Sequence, residues 1–523
     1  MTHLHICRRF SVPFFHSRRS RFQQAGAFVW AALACLAPLG SGLAAQQPER
    51  ELSLDDAIEM ARSNNPAYLA TANDEQVADW QVRSAYASLL PSASVSGGLG
   101  WQGTGEQLLG GNLTLGDLGV GNQPNYYSSN YRLSLNYALS GSVLLAPSQA
   151  SASRRATSAQ IDLARTTLEA NVTQLYLDAL RQRDGLALIE QQLERARLNL
   201  RLARGQAEVG QATGIDVTQA EIQVGRSEVA LLQARNAAET AELRLLQQIG
   251  IDLEGGLQLT TRFSVDAPGW THDELLDRAV AGNPSLAARR YAREAARVGL
   301  RSARSAYLPS VNLSVGWSGF TREASSMDLA IAQAQASTAS QFANCQATNE
   351  LYSRLVNPLP SLDCSRFTFT DADRERLIAS NDVFPFSFST SPPTASLSIS
   401  LPVFQGLGRQ QQVEQARAQM QDAEYQLREQ ELALEADIRI NLAQLRTAHS
   451  SVELEERNRS FADEQLRLAR ERYQAGLVTF LELVEAETVK VQADRDLLSA
   501  IYAFHDALNA LEAVVGSPLR IRS

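Results

Sequence analysis

The sequence predicts a mainly α-helical fold with membrane-type β-structure, in which a duplicated unit supplies four amphipathic strands and two pairs of long coiled-coil helices. Three observations carry this prediction. YLPSVNLSVGW (307–317) has a near-copy, LLPSASVSGGLGW, 218 residues earlier. Both alternate strictly; Val311, Leu313, Val315 and Trp317 fall on one side and Asn312, Ser314, Gly316 and Ser318 on the other. From about Ser148 to Val209 and from Gly408 to Ala475 there is no proline and little glycine, and some 60 residues of helix make a rod of about 90 Å.

The first 45 residues read as an export signal. Arg8, Arg9, Arg18, Arg19 and Arg21 precede the apolar run AGAFVWAALACLAPLG, and small residues follow to Ala44. Residues 1–44 are therefore assigned as signal peptide, with acylation at Cys35 as the alternative processing route and Arg18-Arg19 a weak twin-arginine hint. Removing five arginines takes the formal charge from -9 to -9 - 5 = -14, and an acidic exported chain without a basic patch argues against nucleic acid as a partner. No later stretch approaches the roughly 20 apolar residues of a membrane helix, so membrane entry would fall to strands.

Each half then repeats one order of elements. Residues 45–92 hold the N-terminal equatorial helices, opened by LSLDDAIEMARSNNP; its partner THDELLDRAVAGNP lies in the linker and second equatorial segment, 251–309. The first strand pair with its external loop occupies 93–141, where YRLSLNYAL (131–139) sets Tyr131, Leu133, Leu135, Tyr137 and Leu139 against Arg132, Ser134 and Asn136. The second pair occupies 310–403 and ends in TASLSISLPV. Its connection, 320–393, reads as a long irregular loop holding most of the 48-residue growth in repeat offset, from 218 to 266. The long helical hairpins are 142–250 and 404–515, with 516–523 as a tail. Sevenfold spacings such as Val217, Val224, Leu231 and Val484, Val491, Leu498 mark coiled-coil packing.

Strands of about ten residues suit a tilted bilayer crossing. Four cannot close a barrel, and an open sheet would leave unpaired backbone in lipid. Several chains must share one barrel, and three would close it with twelve strands. Ser, Asn, Gly and Arg132 would then line a wet interior, and Trp101, Trp317, Tyr131 and Tyr137 suit interfacial girdles.

This arrangement resembles the TolC-like outer membrane factor family. The resemblance covers essentially the whole mature chain and rests on the duplicated order, the Asn-Pro after each short helix, Leu-Pro-Ser before the strands, LPVFQGLGR (401–409), and the tips AEVGQATGIDVTQAE and YQAGLVTFLELVEAE. LLAPSQASASRR (144–155) departs from the pattern, lacking the Phe and glycines of LPVFQGLGR. The resemblance implies a homotrimer whose 12-stranded β-barrel sits in the bacterial outer membrane lipid and continues into a periplasmic α-helical barrel. It implies a passive exit duct for small toxic compounds, completed by a periplasmic adaptor protein and an inner-membrane transporter. The same tube serves type I protein secretion; a periplasmic coiled-coil adaptor is the reading from another class, disfavoured by the membrane-type strands.

At the tips, the resemblance places a ring of acids on Glu482 and Glu485 and a latch between neighbouring hairpins on Asp216 and Tyr473, with Val478 where some relatives carry arginine. Capping competes for these acids: Thr479 with Glu482, and Thr213 with Asp216, have capping-box spacing. Gly210, Gly476, Ala207 and Ala475 are expected to meet the adaptor. Cys345 and Cys364, alone after signal removal, are expected to pair in an oxidising compartment.

No enzyme signature competes. His272, His449 and His505 stand outside any HExxH spacing, there is no CxxC pair, and GGNLTLGDLGVGN lacks the GK[ST] of a phosphate loop. No cofactor and no metal site is expected.

Overall fold

The computed structural model describes residues 50–104, 108–110, 113–114, 124–252 and 257–520. The expected signal segment 1–44 and most of the first external loop lie outside the described residues. In chain order the elements begin with β1 (Arg50–Leu52), α1 (Leu54–Asn64), α2 (Pro66–Ala87) and β2 (Ser92–Gln102). Short strands β3 (Leu108–Gly110) and β4 (Leu113–Thr114) precede β5 (Tyr126–Leu139), α3 (Gly141–Glu208), α4 (Gly214–Ile249) and β6 (Leu257–Leu259). The second half supplies α5 (His272–Gly282), α6 (Pro284–Arg304), β7 (Ser310–Ala324), α7 (Asp328–Ser353) and α8 (Asp371–Asn381). Strands β8 (Ser389–Thr390) and β9 (Thr394–Ser400) lead to α9 (Gly408–Gln474) and α10 (Phe480–Val515).

The duplication is visible in how helix ends are satisfied. Ser53 with Asp56 and Thr271 with Glu274 form full capping boxes at α1 and α5. Asn65 and Asn283 then cap α2 and α6, each followed by proline at the first helical position. Their amides do a second job: Asn65 Nδ2 donates to Gln248 O at 2.7 Å and Asn283 Nδ2 to Val514 O at 2.6 Å. Each asparagine thereby occupies a carbonyl that the end of a long helix leaves open. The chain leaves those helices through Gly250 and Gly516, both at positive φ; a Cβ on Gly250 would stand 2.6 Å from Asn64 O. The Asn-Pro dipeptides are thus joints between short and long helices in both halves.

One sheet runs β2-β5-β7, with β8 and β9 both paired to β7, all antiparallel. Register aligns Val95 with Leu133, Leu133 with Trp317, and Leu313 with Leu397, so one face is continuously apolar. That face is exposed: Val95 is 79% and Leu397 67% accessible. On the other face Ser94 meets Ser134, and Ser314 meets Ser396, each at 2.7 Å. The outer edges of β2 and β9 have no strand partner among the described residues.

Three expectations are corrected. The connection 320–393 is not irregular: β7 extends to Ala324, and α7 is a 26-residue helix. Its Ala/Gln-rich sequence lacks glycine and proline, so helix propensity prevails over the loop-like composition around it. Behind α8 the chain folds back onto the apolar sheet face, where Ser129 Oγ donates to Pro385 O at 2.6 Å and Phe388 meets Tyr131 edge-on at 4.9 Å. Strand β9 ends at Ser400, short of Val403. Helix α3 starts at Gly141 rather than near Ser148, because Ser140 accepts from Val143 N; Pro147 lies inside it.

Three apolar clusters organise the helices. One joins α1, α3 and α4 around Tyr176 and Leu245; another joins α5, α9 and α10 around Ile438, Phe504 and Leu511. The third, at the hairpin tips, is built of Ala203, Ala220, Leu466, Tyr473, Phe480 and Leu483. Small residues there let the four helix ends approach closely.

Candidate functional site

The tips of the two long hairpins bring together most of the residues singled out in the sequence. The chain turns between α3 and α4 at Gly210 (φ 75°) and between α9 and α10 at Gly476 (φ 71°), and open space surrounds both. Positive φ is the reason each turn uses glycine. Ala207 is half-buried and Ala475 exposed. Around them Val209, Ile215, Leu477 and Leu481 are each more than half exposed.

Asp216 opens α4 in a full capping box: its Oδ2 accepts from Thr213 N at 2.8 Å and Thr213 Oγ1 at 2.7 Å. The Asp216 charge also acts on Tyr473 of α9. Tyr473 is only 4% exposed, and its hydroxyl has no hydrogen-bond partner among the described residues. Burial first, and the neighbouring Asp216 charge second, raise the Tyr473 pKa. Gln206 Nε2 donates to Tyr473 O at 3.1 Å, a direct polar tie between the two hairpins of one chain. Val478 packs against the same cluster, so the position holds apolar contact instead of a cation.

Glu482 and Glu485 lie one helical turn apart at the start of α10, and both are exposed. The capping box expected at Glu482 forms by half. Glu482 N donates to Thr479 Oγ1 at 3.4 Å, but the Glu482 carboxylate turns to Arg472 Nη1 at 3.3 Å. Glu485 has no hydrogen bond or ion pair among the described residues. Cys345 in α7 and Cys364 lie far along the chain from the tips; their sulfurs are 1.97 Å apart.

Sequence reading missed a second charged site, almost three turns into α10 along its seam with α9. Lys490 is the sole lysine of the 523 residues. It is 5% exposed, and its Nζ lies 2.6 Å from Asp494 and 2.7 Å from Asp463. Arg459 Nε adds a third contact, 3.0 Å from Asp494. Nearer the tip, Arg470 stands 3.5 Å from Glu487. Lys490 and Asp494 have the i,i+4 spacing of an ordinary surface pair; only the uniqueness of the lysine in the sequence signals otherwise. The cluster ties α9 to α10, whereas contacts between hairpins at the tip are mainly apolar.

Among the described residues no group of histidine, cysteine and acid side chains could hold a metal ion, and no helix is long and apolar enough to cross a membrane. Residues 57–251 and 275–517 match the family model described as outer membrane efflux protein. The chain is similar to Protein CyaE of Bordetella pertussis, 26% identical over 84% of this chain and 78% of that protein. Among solved structures it resembles CusC, described for its folding and transmembrane channel formation (TM-score 0.65, 18% identity, 89% of this chain and 92% of that one). It also resembles the open state of the MtrE outer membrane channel of Neisseria gonorrhoeae (TM-score 0.64, 19% identity, 89% of each chain).

Proposed function

Because the chain belongs to the outer membrane efflux protein family, we propose that three copies assemble into one passive exit duct for small toxic compounds, gated at the helix tips. The observation that carries this reading is the sheet. Its apolar face is exposed, its opposite face is lined by serines, and both outer edges are open among the described residues. Backbone groups cannot remain unpaired in hydrocarbon. The edges of β2 and β9 therefore pair with sibling chains, and three copies of the four long strands β2, β5, β7 and β9 give the even strand number that closes a barrel. The long helices continue the lumen below the membrane.

At the far end the tips meet partners. The exposed apolar residues beside Gly210 and Gly476 support docking of a periplasmic adaptor, which couples the duct to an inner-membrane transporter that supplies the energy. Glu482 and Glu485, two from each of three chains, form a ring of six carboxylates in the narrowed tube. Such a ring attracts cations and is held together against its own repulsion by the surrounding helices. Asp216 and Tyr473 hold the two hairpins of a chain in the narrow state.

Planar-bilayer recordings test the ring. Multivalent cations added on the tip side should block the wild-type channel, and Glu482→Ala with Glu485→Ala should weaken that block by an order of magnitude or more. An unchanged block would remove both residues from the lumen.

A further inference from the structure

Helix α6 carries Arg290, Arg293, Arg297, Arg301 and Arg304 at spacings of three and four. They form a single stripe, about 21 Å long at 1.5 Å per residue. Its lower members are partly committed: Arg290 Nη1 donates to Val280 O, and Arg293 is half-buried. At the upper end Arg297, Arg301 and Arg304 are exposed, and among the described residues one acid reaches them, Glu294 at 3.5 Å from Arg301. The fold does not demand this stripe. At the offset of 218, α2 has Ala72, Glu75, Asp79, Arg83 and Tyr86 in the same places; an arginine recurs at the Arg301 level alone, the level nearest the sheet carries Tyr86, and the lower positions are neutral or acidic.

The rotation of α6 follows from its neighbours. It packs between α3 and α9, and Arg289 Nη1 donates to Gln426 of α9 at 2.9 Å, which fixes the flank that meets α9. Ser391 N donates to Ser318 O. Viewed onto the apolar sheet face with β7 rising, this chirality puts β9 to the left and β5 to the right, with α9, α6 and α3 below in that order. A right-handed helix rising there presents the arginine stripe to the viewer, on the same side as Leu313, Val315 and Trp317. Ala292, Ala296, Gly299 and Ala303 turn to the opposite, serine-lined side. Arg304 precedes Val311, the first apolar-face residue of β7, by seven positions, and Arg297 to Arg304 span about 10 Å of helix. Tyr307, with the Arg409 guanidinium 4.9 Å from its ring, marks the same level.

We propose that Arg297, Arg301 and Arg304 bind the phosphates of anionic phospholipid headgroups in the periplasmic leaflet, directly beneath the membrane-facing sheet. The inference rests on the membrane placement of that sheet. Charge complementarity and continuity with the apolar face carry it: guanidinium forks suit phosphate, and basic groups within a Debye length of an anionic leaflet are drawn to it. The stripe thereby fixes the depth of the barrel.

The test uses the full-length protein, delipidated in detergent and checked for heat-modifiable trimers. Native mass spectrometry then follows retention of phosphatidylglycerol against phosphatidylcholine. Joint Arg297→Gln, Arg301→Gln and Arg304→Gln should lower apparent phosphatidylglycerol affinity roughly tenfold or more, leaving phosphatidylcholine unaffected. The corresponding lysine variant should retain most of the preference. Arg195→Gln, Arg201→Gln and Arg226→Gln, near the tips, should retain all of it. Equal loss in the tip control, or no loss in the stripe variant, overturns the proposal. Loss of co-sedimentation with purified cell-wall sacculi, with lipid retention unchanged, overturns it in favour of a cell-wall polymer. Failure of wild-type protein to insert into vesicles would instead defeat the membrane placement itself.

Discussion

Replacing Lys490 with methionine separates a structural clamp from a dispensable ion pair. The Lys490 and Asp494 side chains are only 7% and 6% exposed, while Asp463 is 53% exposed. Methionine fills the volume of the lysine stem but leaves the Asp494 carboxylate buried, with Arg459, itself half exposed, as its remaining charged partner. Removing one member of a buried pair costs about 3–5 kcal/mol; the surviving Arg459 contact puts the expected loss near the lower figure, about 3 kcal/mol. Asp463 contributes little, since it regains water. The loss should appear locally, as faster amide exchange in α10 between residues 483 and 500, by roughly 100-fold where exchange follows local opening. Adding Asp494→Asn to Lys490→Met should recover much of the protection, because it removes the uncompensated charge. The clamp argument fails if Lys490→Met changes exchange less than about threefold, or if Asp494→Asn gives no recovery. The unique lysine allows a second readout. An amine-reactive ester should leave Lys490 unmodified in the native protein and label it on unfolding.

Tyr473→Phe removes a hydroxyl that has no partner among the described residues, and Asp216→Ala removes the neighbouring charge together with the N3 half of the capping box that Thr213 opens. Asp216→Ala should raise single-channel conductance, whereas Tyr473→Phe, which breaks no hydrogen bond, should leave conductance and thermal stability nearly unchanged; unchanged conductance in Asp216→Ala would refute the latch. His505 is 2% exposed, and burial, then the Arg520 charge, lower its pKa to about 4, with Asp266 opposing. It is neutral when folded, so unfolding takes up a proton between pH 6.5 and 4. Its contribution to stability is complete above pH 6.5 and declines as pH falls through that window, by at most ~3 kcal/mol. The unfolding temperature of His505→Gln should accordingly vary less between pH 7 and 4.5 than that of the wild type, and parallel curves would dismiss the assignment. Finally, Cys345 and Cys364 should resist alkylation in the native protein and take up two alkyl groups after reduction. Two reactive thiols without reduction would exclude the pairing.

Much of the architecture was legible because it depends on local patterns. Period-two alternation located the four long strands, proline-free heptads located the long helices, and the recurrence of Asn-Pro and Leu-Pro-Ser disclosed the duplication. The Ala/Gln-rich α7 escaped notice because its neighbours Pro358, Pro360 and the Ser/Phe-rich segment dominate the composition of the connection. Gly210, Gly476, Glu482 and Asp216 could be placed near the tips from sequence, since turns and caps are short-range devices. The effect of the Asp216 charge on Tyr473 could not, because those residues are 257 positions apart and come near each other only when two hairpins pack.

What the sequence determined by itself was the repeat, the element order and an apolar strand face that needs a solvent other than water. Each follows from interactions within a few residues or from side-chain periodicity. The tertiary structure alone decided that Lys490 is buried between two acids, that Glu482 turns from its cap to Arg472, and that the α6 arginines share a side with the apolar sheet face. Those outcomes depend on the rotation of one helix against another, and helix rotation is set by packing at a distance in the chain that no local pattern encodes.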